Sequence, residues 1–163
     1  MAATLRTVPP IGLYVSRNAL PPSEDDQLLA AAFEQRGAAV EFLVWDEPAS
    51  GWNDVAVVCS TWDYTSRFAE FSDWLGVMDR QSQLFNPLPL LRRSLDKRYL
   101  LELALQGVPT VPSLLTGDET SSVREAAREQ GWHEVVLKPL VSAGGEAGVT
   151  GHRGCVARAA HDP

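Results

Sequence analysis

Between residues 11 and 80 the chain alternates short apolar runs with stretches of helical period, and this rhythm limits the fold more than any other feature. Ile11 to Ser16 follows Pro9-Pro10 as a short apolar run of the kind a buried strand requires. Pro21-Pro22 breaks the chain, and Ser23 stands where a helix N-cap is wanted. Glu24, Asp25 and Asp26 suit the positive end of that helix. Leu28, Leu29, Ala32 and Phe33 predict its buried stripe, and Gly37 predicts its stop. Val40–Trp45 and Val55–Cys59 read as two further strands, and Phe68, Phe71, Leu75 and Met78 as one face of a helix over about residues 66–80. A β-α-β-β-α order predicts an open, mostly parallel α/β sheet.

The 163 residues suffice for one ordinary domain or two small ones. No apolar run is long enough to span a membrane, and the first sixteen residues lack the apolar core of a secretory signal. The two cysteines, Cys59 and Cys155, give neither a disulfide framework nor a zinc pattern, and Cys59 reads as a core thiol. A cytoplasmic protein is expected. The net charge of −7 is uneven. Residues 1–90 carry 12 acidic and 5 basic side chains, whereas residues 91–163 carry 9 of each. An acidic first half argues against nucleic acid as the partner. Only two of the fourteen bases are lysines, Lys97 and Lys138.

Asn86-Pro87-Leu88-Pro89 interrupts the first rhythm and predicts a boundary, giving domains of 1–90 and 91–163. Beyond it, Ser94 is expected to cap a helix of about 95–106, with Leu100, Leu103 and Ala104 on one face and Gly107 past its end. Val108–Pro112 reads as an edge strand, since its prolines bar a central one. Ser122-Val123-Arg124-Glu125 has capping-box form, before a helix ending at Gly131. Glu134–Leu137 predicts a strand running into Lys138-Pro139. The tail, residues 151–163, shows neither helical nor strand period and holds His152, His161 and Cys155.

The sharpest chemical feature is Val135–Val149, VVLKPLVSAGGEAGV. A strand delivers Lys138 to a loop containing Ser142, Gly144, Gly145 and Gly148. Glycines let the backbone approach a ligand closely, free N–H groups cradle phosphate oxygens, and a compact ammonium neutralises their charge. The spacing is neither a Walker loop nor a dinucleotide GxGxxG. A flexible surface hairpin has the same composition, and both readings stand on this stretch alone. Arg17 and Asp63 follow the first and third strands, at the carboxyl edge where open α/β sheets bind ligands, so they are candidates for substrate contact. More often such residues cap helices or pair on the surface. Arg92 and Arg93 suit phosphate or a solvated turn, His133 has no partner for general-base work, and the five Trp read as core or interface.

The helix at Lys97, Gly107-Val108-Pro109, the capped helix, and then strand, Lys138-Pro139 and glycine loop form an ordered set. In this order the sequence resembles the ATP-grasp superfamily in its glutathione-synthetase-like form, whose members carry one lysine in a DK…LL…GVP stretch and another in V.KP…GG. Asn86–Arg92 and Trp62-Asp63-Tyr64 resemble that family's first region, particularly the branch containing the O-ureidoserine cyclo-ligase of cycloserine biosynthesis. The resemblance covers about residues 10–149. It implies a Rossmann-like pre-ATP-grasp domain up to residue 90, followed by an incomplete ATP-grasp N-terminal lobe. It also implies ATP and Mg²⁺ as cofactors. The chemistry implied is an acyl-phosphate made from a carboxylate and captured by an amine-type nucleophile. Lys97, Lys138, Ser142, Gly144, Gly145 and Gly148 would hold the nucleotide.

The family's acidic metal ligands, ending in a Glu-x-Asn strand, come well after the glycine loop. No Glu-x-Asn follows Lys138 in this sequence, whose only later acids are Glu146 and Asp162. No metal ligand is therefore assigned, and the expectation is a truncated chain that does not catalyse alone. A small carboxylate of amino-acid or peptide type is the expected substrate, and self-association through an unfinished sheet is expected. A non-catalytic fragment and a Rossmann-like small-molecule or partner-binding module are the alternatives.

Overall fold

The computed structural model describes residues 10–47, 53–116, 120–143 and 155–159, the last five by their backbone. The chain forms two compact units, Met1–Leu91 and Arg92–Pro163.

Unit 1 is a parallel four-stranded sheet in the order β2-β1-β3-β4. Its strands are β1 (Ile11–Val15), β2 (Val40–Val44), β3 (Val55–Val58) and β4 (Gln83–Phe85). The helices are α1 (Glu24–Glu34), between β1 and β2, and α2 (Phe68–Gln81), between β3 and β4. The sheet grows outward from β1 in both directions, with Ile11 in register with Val40 on one side and Val55 on the other. Strand alternation puts Ile11 and Leu13 on one face, where they pack with Ala30 and Phe33 of α1 and with Val55 and Val57. Tyr14 takes the other face and meets Trp74 of α2 edge-on, with ring centroids 5.2 Å apart. Phe71, Leu75 and Met78 of α2 are buried as their spacing predicts. Gly12, in mid-strand, sits where a Cβ would fall 2.7 Å from Asn53 Nδ2 and 2.9 Å from the Tyr14 ring, so a larger residue there requires those side chains to shift.

Ser23 caps α1 as expected, its hydroxyl accepting from the Asp26 N–H. The expected stripe of Leu28 and Leu29 is not the buried face, however. Leu28 is 63% exposed, and Asp26 and Ala30 are buried instead. Asp26 is held by two serine hydroxyls, and Ala30 and, of the expected stripe, Phe33 pack on the sheet. Strand β4 was not anticipated. Its three residues include the polar Gln83, and its pairing with Val55–Val57 comes from the sheet rather than from any apolar run. A groove of about 450 Å³ opens on the α1 face, lined by Ile11, Phe33, Val55, Val57, Gln83, Phe85 and Asn86.

Helix α3 (Leu88–Ser94) spans the division between the units. Unit 2 contains α4 (Tyr99–Leu105), β5 (Ser113–Thr116), α5 (Thr120–Glu129), β6 (Val135–Pro139) and β7 (Cys155–Ala159). Its antiparallel sheet has the order β5-β7-β6. Four sequence expectations are corrected here. Ser94 ends α3 rather than capping a helix from 95, because the Asp96 carboxylate accepts from the Arg98 N–H at 2.9 Å and turns the chain out of helix until Tyr99. The edge strand begins at Ser113, once the prolines of 108–112 are passed. Helix α5 begins at Thr120, so Ser122 lies inside its first turn and not at its cap. In the tail read as lacking period, Cys155–Ala159 is the central strand, pairing with β5 on one side and β6 on the other. Five residues built of Cys, Val, Ala and Arg carry too little hydrophobic contrast to reveal a strand that its neighbours impose. No helix among the described residues is long and apolar enough to cross a membrane.

Candidate functional site

The turn between α3 and α4 and the end of β6 bring the two lysines of the chain together. Lys138 lies in β6, opposite Val156 of β7. After Pro139 the strand leaves the sheet through the buried Leu140 and Val141 to Ser142. Lys97 is fixed to that exit at three points. Its backbone N–H donates to the Leu140 carbonyl at 2.9 Å. Its ammonium donates to the Ser142 carbonyl at 2.9 Å and to the Ser142 hydroxyl at 2.7 Å. Sequence reading placed Lys97 inside a helix; it stands instead in the turn before α4, free of a helical backbone and tied to the segment that follows the second lysine.

Burial holds the Lys97 pKa below its ordinary value, and the charge of Lys138 pushes it lower still. Asp96 acts in the opposite sense, but more weakly. Its carboxylate is bound in the same turn by Arg98, whose guanidinium approaches to 2.5 Å. Two half-buried ammonium groups thus share one locality, which disfavours charge on Lys97 and favours an anion between them. The expected phosphate glycines Gly144, Gly145 and Gly148 lie outside the described residues. Arg93 is paired with Glu102 at 2.8 Å. His133 lines a groove of about 460 Å³ with Arg124 and Arg128 at the end of α5.

In unit 1, Arg17 and Asp63 stand at the carboxyl edge of the sheet, as their positions predict, and both have protein partners. Arg17 forms an exposed ion pair with Glu47. Asp63 accepts the indole N–H of Trp45 at 2.9 Å and lies 3.4 Å from the Arg67 guanidinium. Between them is a buried polar network that sequence reading did not identify. Asp26 Oδ2 accepts from Ser60 at 2.6 Å and from Ser23 at 2.8 Å, while the Ser16 hydroxyl lies 3.0 Å from the Ser60 carbonyl. The available signal was a lone serine directly after each of the first and third apolar runs, Ser16 and Ser60. This network bears on one alternative. A Rossmann-like binder would offer the N-terminus of its first helix to a phosphate. Here that terminus is occupied by Ser23 and Asp26 and flanked by Glu24 and Asp25, so it repels an anion. Cys59, beside it, is pushed up to about 12 by burial and then by Asp26, which makes it an inert thiol.

A nucleotide's phosphates fit the lysine pair, since the one carboxylate that acts on Lys97 among the described residues, Asp96, does so weakly and is itself held by Arg98. Mg²⁺ has no such fit: no three His, Cys, Asp or Glu side chains among the described residues gather to hold a metal.

Comparison with known proteins agrees with the resemblance read from the sequence. Residues 11–86 match the family described as D-cycloserine synthetase DcsG, N-terminal domain. The cycloserine biosynthesis protein DcsG of Streptomyces lavendulae is 32% identical over 136 residues, covering 79% of this chain and 45% of that protein. The crystal structure of D-cycloserine synthetase DcsG superposes with a TM-score of 0.73 at 29% identity, over 82% of this chain and 47% of that one. The RimK domain ATP-grasp protein of Sphaerobacter thermophilus shares the fold at 19% identity and a TM-score of 0.66, over 94% of this chain and 64% of that one. The chain thus spans about half the length of the DcsG proteins it matches.

Proposed function

We propose, on the premise that residues 11–86 belong to the DcsG N-terminal domain family, that this chain is the N-terminal part of an ATP-grasp ligase. In this reading unit 1 is the pre-ATP-grasp domain and unit 2 holds the first nucleotide-binding elements. The whole protein would use ATP and Mg²⁺ to convert the carboxylate of a small amino-acid-like substrate into an acyl-phosphate. An amine-type nucleophile would then displace the phosphate, closing a ring where both groups belong to one molecule. No residue of this chain is assigned to Mg²⁺.

The pairing of Lys97 with Lys138 carries the reading. Two ammonium groups held near each other, one of them depressed by burial and then by the other, form an arrangement that a phosphate chain relieves. Lys97 and Lys138 bind phosphate oxygens, and Ser142 stands beside Lys97 at the start of the glycine stretch. Arg17 and Asp63 remain candidates for substrate contact at the carboxyl edge of unit 1. Exchange of Glu47 for a substrate carboxylate would engage Arg17 without disturbing the core.

Titration of ATP into the chain and into its Lys97→Met, Lys138→Met and Arg80→Met variants tests the assignment. Charge-assisted contacts of roughly 1.5–3 kcal/mol predict affinity losses of about ten- to a hundred-fold for each lysine variant. Arg80, exposed at the end of α2, is the control and should leave affinity unchanged. Equal affinities for all four proteins would remove the assignment.

A further inference from the structure

The Lys97–Ser142 contact has a geometry that phosphate binding alone does not require. An ammonium has three donors. Two of those of Lys97 are directed to one residue, at 2.9 Å to its carbonyl and 2.7 Å to its hydroxyl. Both acceptors are neutral. The Lys97 backbone is held separately, by the bond from its N–H to the Leu140 carbonyl. The side chain can therefore leave Ser142 while the residue stays in place.

We propose that Ser142 is a latch for Lys97 in the ligand-free protein, and that the phosphate oxygens of a bound nucleotide replace the Ser142 carbonyl and hydroxyl as acceptors of its ammonium protons. This rests on the nucleotide reading above and adds a positioning residue to it. The direction of exchange follows from charge. An anionic phosphate oxygen adds the Coulomb attraction of opposite charges to the ammonium's hydrogen bond, which a neutral carbonyl or hydroxyl does not, so arriving phosphate wins the competition. Until then the latch gives a half-buried ammonium the hydrogen bonds it would otherwise lack and fixes where it waits beside Lys138. No bond is made or broken except these hydrogen bonds. Ser142 acts through Lys97 and is not a catalytic residue.

The chain's two lysines make the test direct. Biosynthetic incorporation of ¹³C,¹⁵N-lysine gives two sets of side-chain signals, assigned by their loss in Lys97→Met and Lys138→Met. In the free protein, Ser142→Ala should speed exchange of the Lys97 Nζ protons and shift its signals, leaving those of Lys138 in place. ATP added to the unmodified chain should move the Lys97 signals and abolish their contact with the Ser142 β-protons. Ser142→Ala, with one competing acceptor removed, should bind ATP about five-fold more tightly, whereas a Ser142 that holds the nucleotide itself would make the variant bind more weakly, and that result would overturn the latch. If ATP moves Lys138 but leaves the Lys97–Ser142 contact intact, the latch fails and the nucleotide reading survives. If ATP moves neither lysine, the nucleotide reading fails and the latch with it. The unmodified protein decides between these outcomes even if Ser142→Ala does not fold.

Discussion

Trp45 donates its indole N–H to Oδ1 of Asp63 across 2.9 Å, joining the residue after β2 to the turn after β3. The indole is 2% exposed, so this carboxylate serves a donor that water does not reach. The Arg67 guanidinium lies 4.4 Å over the same ring and is bound to Asp46 at 2.5 Å and to Glu70. Asp63→Ala leaves a buried donor unpaired and should lower unfolding stability by about 1–3 kcal/mol, with Asp63→Asn, which keeps an acceptor, costing less. Urea unfolding followed by tryptophan fluorescence measures both. An Asp63→Ala protein of undiminished stability would transfer Asp63 from the fold to the substrate.

A rigid side-chain fit at the centre of β1 gives a second expectation. Gly12→Ala would bring a methyl group to 2.7 Å from Asn53 Nδ2 and 2.9 Å from Tyr14 Cε2. Tyr14 is pinned against Trp74, so overpacking should cost about 1–3 kcal/mol. Tyr14→Phe, by contrast, removes a buried hydroxyl with no hydrogen-bond partner among the described residues and should be neutral or stabilising. Thermal unfolding of the two variants should separate them; a Gly12→Ala protein as stable as the parent would contradict the packing described.

The elements legible in the sequence were those whose own residues determine them. Ser23 caps α1 because its hydroxyl reaches an N–H three residues on, and α2 buries Phe71, Leu75 and Met78 because its period is complete. What escaped was determined from a distance. Asp26 of α1 is buried on a bond from Ser60, 34 residues away, while Leu28 of the apparent stripe is exposed. Strands β4 and β7 are too short and too mixed to announce themselves, and each is made by its partners. The lysine pair was found from motif order, whereas its geometry was not. Lys97 stands in a turn, with its N–H bonded to Leu140, which lies 43 residues on, and that of Arg98 to Asp96.

Cys59 makes unit 1 sensitive to alkali. Its thiol is raised from an ordinary 9.0 to about 12 in the folded chain, so between those values the unfolded chain has released its proton and the folded chain has not. The unfolded state then binds fewer protons, and stability falls as pH rises through this window. Tyr14, also raised by burial, adds to the fall above 10.0. Cys59→Ala should flatten the decline in urea midpoint between pH 8.5 and 10. An identical decline in parent and variant would show that the thiol is not the cause.

Lys97 acts on the pH dependence of folding with the opposite sign. Its folded pKa lies below the ordinary 10.5, so in the interval between them the unfolded chain holds more protons and this residue's contribution to stability rises with pH. For ligand binding the consequence reverses. Phosphate needs the ammonium form and, once bound, raises the pKa that burial and Lys138 had lowered. Above the free value, binding must take up a proton, and affinity should fall by a factor approaching ten per pH unit. The fall should begin below pH 10.5, earlier than for an exposed lysine. Lys97→Arg keeps its charge throughout and should lose less affinity over the same range, whatever its affinity at pH 7.5. ATP titrations of both proteins from pH 7.5 up to 10.5, the ordinary lysine value, followed by calorimetry in two buffers of different ionisation enthalpy, would report the affinity and the proton uptake together. Parallel curves with no uptake in either protein would mean that Lys97 does not meet the phosphates.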